Sequence, residues 1–245
     1  VFEEYLDRFH FFQRVNMVGV SNEATGVKNF TYPIEKLTTG FGQGSSVTAM
    51  QMVQAYTALF NDGKMMKPYF IEKIVNSYND EVIEEYGPEV VGTPISKETA
   101  DKMKDLMYKV VNDRNMGNYG RYHMDDVDVI GKTGTSEVAI DGEYTSSMYV
   151  NSFMGAAPYD DPKVMMYYVF EAPDFLTYTG EPFQNAFRQA LIATGVSGER
   201  VNSNGDEYTG WQEYKMPALM NHTLDYVNRK MKSYNVTNII IGDGS

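Results

Sequence analysis

The 245-residue sequence has no cysteine, only three histidines, a single tryptophan and too few bases to balance its acids. Without cysteine there is no disulfide, no thiolate metal site and no thiol nucleophile. His10, His123 and His222 stand far apart, and none falls in a His-x-x-x-His or HExxH spacing, so the ligand pattern of a zinc site is missing. Lysine and arginine total 21 against 33 aspartates and glutamates, a formal charge of −12, and no basic run is dense enough to track a phosphate backbone. Nucleic acid is therefore not an expected partner. No stretch of about 19 residues is continuously apolar. The opening VFEEYLDRF has neither the basic start nor the apolar run of a signal peptide.

What the chain does have is periodicity. Hydrophobic residues make up 42%, enough to bury a real core, and the length suits one large domain, or one domain and a small module. Phe2, Leu6 and Phe9 are spaced as if the chain opened partway through a helix. Thr48-Ala49-Met50-Gln51 is a capping box, and apolar positions from Ala49 to Phe60 keep one helical face until Asn61-Asp62-Gly63 stops them. YFIEKIV and EVIEEY, separated by NSYND, read as two strands and a turn. Ser96 caps a helix whose stripe is Ala100, Met103, Leu106, Met107, Val110 and Val111. Residues 113–126 have no period and read as a loop. Three strand-like runs follow, 127–140, VNSFMGAAP and KVMMYYVFEAP, with turns at Asp141-Gly142 and Tyr159-Asp160-Asp161-Pro162, which predicts an antiparallel meander. Pro182 opens a helix with Phe183, Ala186, Phe187, Ala190 and Leu191 along one side, able to cover one sheet face.

VIGKTGTSE, residues 129–137, carries the chemistry, and it reads two ways. As Gly-Lys-Thr it could end a phosphate-cradling loop, but that loop needs a glycine where Asp126 stands, and no helix pattern follows Thr133 to present its N-terminus. As Lys-Thr-Gly it needs a strand, and alternation over 127–139 puts Thr133, Thr135 and Glu137 on one face. There Lys132 can hold a charge beside a reacting cluster, Thr133 and Thr135 can bind a carboxylate, and Gly134 lets an acyl group approach. The Thr135 amide can then polarise the scissile carbonyl.

The surroundings of that tripeptide decide between the readings. GFGQGSSVTAMQMVQAYTALFNDGKMMKPYFIEKI, then GKTGTSEVA, then a meander and a helix, resemble the penicillin-binding transpeptidases. EVVGTPISKETADKM agrees, and KMPALMNHTLDYVNRKMKSYNVTNIIIGDGS resembles the first half of a PASTA module, as in class B penicillin-binding proteins of Gram-positive bacteria, the 2x type above all. The resemblance implies an α/β fold of the penicillin-binding-protein and serine β-lactamase-like kind, an antiparallel sheet covered by helices. It divides the chain into 1–198, the C-terminal part of a transpeptidase domain, a linker at 199–214 and half a PASTA domain at 215–245. It also implies that Lys132 is the electrostatic and proton-relay partner of a serine nucleophile, that Thr133 and Thr135 bind the carboxylate of a D-Ala-D-Ala stem peptide or a β-lactam, and that Gln43 lies near the cleft. No metal or organic cofactor is implied. The implied setting is the outer face of the cytoplasmic membrane, with an N-terminal anchor and cell-division partners.

Two departures shape the expectation. The sequence contains no Ser-x-x-Lys, and its two Ser-x-Asn triplets, Ser77-Tyr78-Asn79 and Ser233-Tyr234-Asn235, fall in a turn and at the end of the PASTA-like helix. One of three catalytic boxes is therefore present, and the chain alone is expected not to acylate. Its companion is expected to be the N-terminal half of the same protein. Without that half, the sheet at 127–171 is expected to leave its second face and outer strands bare. Glu137 is expected to weaken binding of an anionic substrate by like charge. A carboxypeptidase or β-lactamase-like hydrolase, and a penicillin-recognising sensor or wall-binding protein, are the rival readings.

Overall fold

The computed structural model describes residues 1–116, 119–140, 143–172 and 180–196. They belong to the first of two units, Val1–Gly198; the second, Glu199–Ser245, with the expected linker, PASTA half and Ser233-Tyr234-Asn235, lies outside the described residues, as does the Asp141-Gly142 turn. In chain order the elements are α1 (Phe2–Arg8), α2 (Pro33–Thr39), α3 (Ala49–Phe60), β1 (Met65–Met66), β2 (Lys73–Val75), β3 (Val82–Glu85), β4 (Val90–Gly92), α4 (Lys97–Asn112), α5 (Tyr119–Tyr122), β5 (Ile130–Ile140), β6 (Glu143–Ala157), β7 (Val164–Ala172) and α6 (Glu181–Ala193).

Helix α3 has the bounds its capping box predicts. Thr48 Oγ1 accepts from the Gln51 amide at 3.2 Å while Gln51 Oε1 accepts from the Thr48 amide at 3.1 Å. The buried Gln51 spends its side-chain nitrogen on Gln13 O and Thr25 O, at 2.6 and 3.0 Å, and so fastens the N-terminal segment to α3. The stop is steric as well as local: Gly63 has φ +84°, and a Cβ there would run into the Ile95 carbonyl. Helix α2 is absent from the sequence expectations. Pro33 opens it, and Glu35 turns back to accept the amides of Thr31 and Tyr32, both at 2.8 Å.

The predicted hairpin forms from β2 and β3, shorter than its apolar runs, with Ser77-Tyr78-Asn79 in its turn. The β1–β4 pair had no sequence signal beyond two short apolar steps. Ser96 caps α4 as expected, its Oγ accepting from the Thr99 amide at 3.2 Å. Ala100, Met107 and Val111 are buried, but Met103 and Leu106 are exposed, Leu106 by 56%. The stripe is wider than the surface that α4 covers.

The loop reading of 113–126 is corrected by α5, whose Tyr122 is fully buried and stacks on Phe153 with ring centroids 3.6 Å apart. A turn this short has no period to read, and burial of one aromatic ring holds it.

The sheet is the antiparallel meander β5–β6–β7. On one face Phe153 meets Phe183 and Phe187 of α6, with Phe183 edge-on to both Tyr122 and Phe153. Burying each of these rings contributes about 2 kcal/mol. On the other face Ile130 and Ala156 pack against Met107 of α4 and Tyr56, Leu59 and Phe60 of α3. The second face is therefore covered at this end by the chain's own helices, which corrects the expectation that it would be bare. Val169 of β7 stays 43% exposed, and β5 and β7 each keep one edge without a strand partner among the described residues.

Candidate active site

Strand β5 is held at its entrance by side chains from two helices and by His123. Asn112, in the last turn of α4, donates Nδ2 to Val129 O at 2.8 Å and to Tyr108 O at 3.0 Å. Its Oδ1 stands 2.8 Å from His123 Nδ1, and His123 Nε2 stands 3.2 Å from Asp125 Oδ1. Gln184 of α6 donates to Arg121 O and His123 O, at 2.9 and 3.2 Å, and Arg188 of α6 pairs with Asp126. The residues just before the Lys-Thr-Gly run are thus fixed to both neighbouring helices, which keeps the start of β5 in place.

Gly131-Lys132-Thr133 lies inside β5, and among the described residues the next helix begins at Glu181, so no helix N-terminus follows directly to cradle a phosphate. The register runs regularly from Ile130↔Ala156 to Glu137↔Tyr149 and becomes irregular after Glu137. Cross-strand partners share a face. Thr133, Thr135 and Glu137 therefore stand with Phe153, Asn151 and Tyr149, on the face toward α6. Lys132, Gly134 and Ser136 stand on the other face, with Met154, Ser152 and Val150. The two sets meet at the open edge of β5, with an ammonium on one face and hydroxyls on the other.

Lys132 is exposed, and its Nζ donates to Thr133 O at 2.6 Å. No carboxylate lies within ion-pair reach of it among the described residues. Thr133 is half-buried opposite Phe153. Thr135 is exposed, and its Oγ1 donates to Asn151 Oδ1 across 3.4 Å. Glu137 is exposed at the last regular pair. A Cβ at Gly134 would stand 2.6 Å from Ser152 Oγ, so this glycine leaves room for a neighbour's hydroxyl as well as for a ligand. Gln43 is not joined to this group: its amide donates to Thr38 O at 2.9 Å, and no hydrogen bond links it to β5 among the described residues.

Sequence reasoning placed β6 but missed the two side chains it contributes beside β5. Asn151 is 2% exposed with its Nδ2 unpartnered, and Ser152 fills the space beside Gly134. The signal was a polar pair inside the otherwise apolar VNSFMGAAP. Among the described residues no three acids or histidines gather as a metal site would require.

An antiparallel sheet between helices, with Lys-Thr-Gly-Thr along an open edge, leaves room for an extended chain to lie beside β5. Residues 1–192 match the model of the penicillin binding protein transpeptidase domain, and the chain belongs to that family. It is 31% identical over 226 residues to stage V sporulation protein D of Bacillus subtilis, covering 89% of this chain and 34% of that protein. It is 29% identical over 170 residues to the probable peptidoglycan D,D-transpeptidase PenA of Neisseria gonorrhoeae, covering 67% of this chain and 27% of that protein. The crystal structure of penicillin binding protein 2X from Streptococcus thermophilus superposes with a TM-score of 0.68 at 26% identity, over 79% of this chain and 31% of that one. The chain thus spans about a third or less of the length of these two curated relatives.

Proposed function

We propose that the chain is the C-terminal part of a peptidoglycan D,D-transpeptidase that cross-links stem peptides through a serine acyl-enzyme. The observation that carries this reading is the Lys132–Thr135 run on the open edge of β5, in a chain whose residues 1–192 match the transpeptidase domain.

Lys132 lends its charge to the nucleophile cluster and passes a proton within it. Thr133 and Thr135 hold the terminal carboxylate of D-Ala-D-Ala or of a β-lactam. Gly134 lets the acyl group lie against the strand, and the Thr135 amide receives the oxyanion that develops as the serine oxygen adds to the carbonyl. The bond to the terminal D-Ala breaks, the amine leaves with a proton, and an acceptor amine then takes the acyl group from the serine. Gln43 serves the mouth of the cleft, and Glu137 opposes the incoming anion. This chemistry needs neither a metal nor an organic cofactor.

The serine comes from the N-terminal half of the same protein, because no Ser-x-x-Lys occurs in these 245 residues. By itself the chain does not acylate. Residues 1–198 form part of the transpeptidase domain, 199–214 link it onward, and 215–245 begin a PASTA module. The complete protein works at the outer face of the cytoplasmic membrane, held by an N-terminal anchor, with cell-division proteins as neighbours.

The test is covalent labelling of the full-length protein by a fluorescent penicillin, followed by D-Ala release with an acceptor amine present. A stable label and transfer to the amine are expected. A protein that never labels overturns the enzyme reading, and a label lost quickly to water makes it a hydrolase. Native chromatography showing the chain alone as a compact, cooperatively unfolding monomer would remove the need for the companion half.

A further inference from the structure

Asn151 lies directly opposite Thr135 on β6, is 98% enclosed by the 2% exposure it retains, and keeps an Nδ2 with no acceptor. A buried N–H without a partner is among the rarer features of a folded protein. Its other amide atom, Oδ1, takes the Thr135 hydroxyl proton over 3.4 Å, a long bond. A hydroxyl has one proton to give. While that proton is given to Asn151, Thr135 offers a ligand carboxylate only lone pairs, and these repel it.

Turning the Asn151 amide over removes both faults. Nδ2 then stands opposite Thr135 Oγ1 and donates to it, so the enclosed donor is satisfied. The Thr135 proton is released toward the open edge of β5. Amide nitrogen and oxygen have nearly the same shape, so the turn leaves the packing unchanged, and an enclosed carbonyl oxygen without a partner is better tolerated than an enclosed N–H.

We infer that Asn151 is a positioning residue whose amide donates to Thr135 Oγ1 and so turns the Thr135 hydroxyl proton toward the carboxylate of the bound acyl donor. This rests on the reading of the β5 edge as the carboxylate-binding site. Asn151 touches no reacting atom and acts only through Thr135.

The test uses the full-length protein and second-order acylation rates with benzylpenicillin and with its methyl ester, which keeps the reactive ring and loses the negative charge. Asn151→Ala and Asn151→Leu are each expected to slow benzylpenicillin about tenfold and the ester by no more than about twofold. Leucine keeps the side-chain volume, so it carries the comparison if the alanine variant does not fold. In a Thr135→Val background the Asn151 substitution is expected to have no further effect, because the group it positions is gone. Equal slowing of both compounds, or an undiminished effect in the Thr135→Val background, overturns the role of Asn151 alone. If Thr135→Val by itself leaves benzylpenicillin unaffected, the carboxylate-binding role of β5 fails, and the inference fails with it.

Discussion

Gly134 satisfies two requirements at once. In the proposed site a ligand on the β5 edge needs close approach to the backbone, and Ser152 Oγ already stands 2.6 Å from where a Cβ would go. Gly134→Ala is expected to cost no more than about 1 kcal/mol in thermal or denaturant unfolding, because the position is exposed and the obstacle is a side-chain hydroxyl that can turn aside. Ser152→Ala in the same chain should recover most of that loss, and no recovery would mean that the hydroxyl is not the obstacle. Glu137 allows a second measurement at this scale. It is exposed, on the same face as Thr133 and Thr135, and next to the irregularity in β5. Glu137→Gln in the full-length protein is expected to raise acylation by anionic β-lactams about twofold, the size of a screened charge repulsion over several ångströms. An unchanged rate would remove Glu137 from the site. Lys132, Thr133, Gly134 and Thr135 were readable as a motif because their order along one strand is their order in space. Asn151 was not, because its meaning comes from the residue across from it.

Among the elements, α3 shows how a local signal and a tertiary surface combine. Its cap fixes where it starts, and its apolar face places Tyr56 against the sheet beside Ile130 and Met107. Burial pushes the Tyr56 phenol from 10.0 up to about 12, with the charge of Tyr167 adding to the effect. The folded value lies above the unfolded one, so the stability that depends on a neutral Tyr56 is complete below pH 10.0 and is lost as pH rises toward about 12. Thermal midpoints are expected to fall across that interval, and to fall less in Tyr56→Phe. Identical alkaline profiles would show that Tyr56 does not contribute. Helix α4 and the meander were readable from period and turn residues. Helix α5 was not: a single turn carries no periodic signal, and Tyr122 holds it by stacking on a ring 31 residues further along the chain. The exposed Leu106 marks the opposite case, an apolar position with the right spacing that the fold leaves 56% exposed.

For the whole molecule, charge and exposed apolar surface matter most. Tyr32, Ile34, Leu37 and Phe41, in and around α2, are each about two-thirds exposed. A concentration of large apolar residues on one short segment favours association. The chain on its own is expected to bind a hydrophobic dye, and Ile34→Lys with Leu37→Lys should lower that signal while changing unfolding free energy by no more than about 0.5 kcal/mol. Dye binding that does not respond would place the accessible apolar surface elsewhere. The sequence by itself determined the long elements, the meander and the Lys-Thr-Gly strand, because caps, turn residues and alternation are set by neighbours a few positions apart. Only the tertiary structure decided that α3 and α4 cover the second face of the sheet, that α6 and α4 hold the entrance of β5, and that Thr135 faces a buried amide on β6. Those contacts join residues from 16 to more than 60 positions apart, and no local pattern encodes which of them meet.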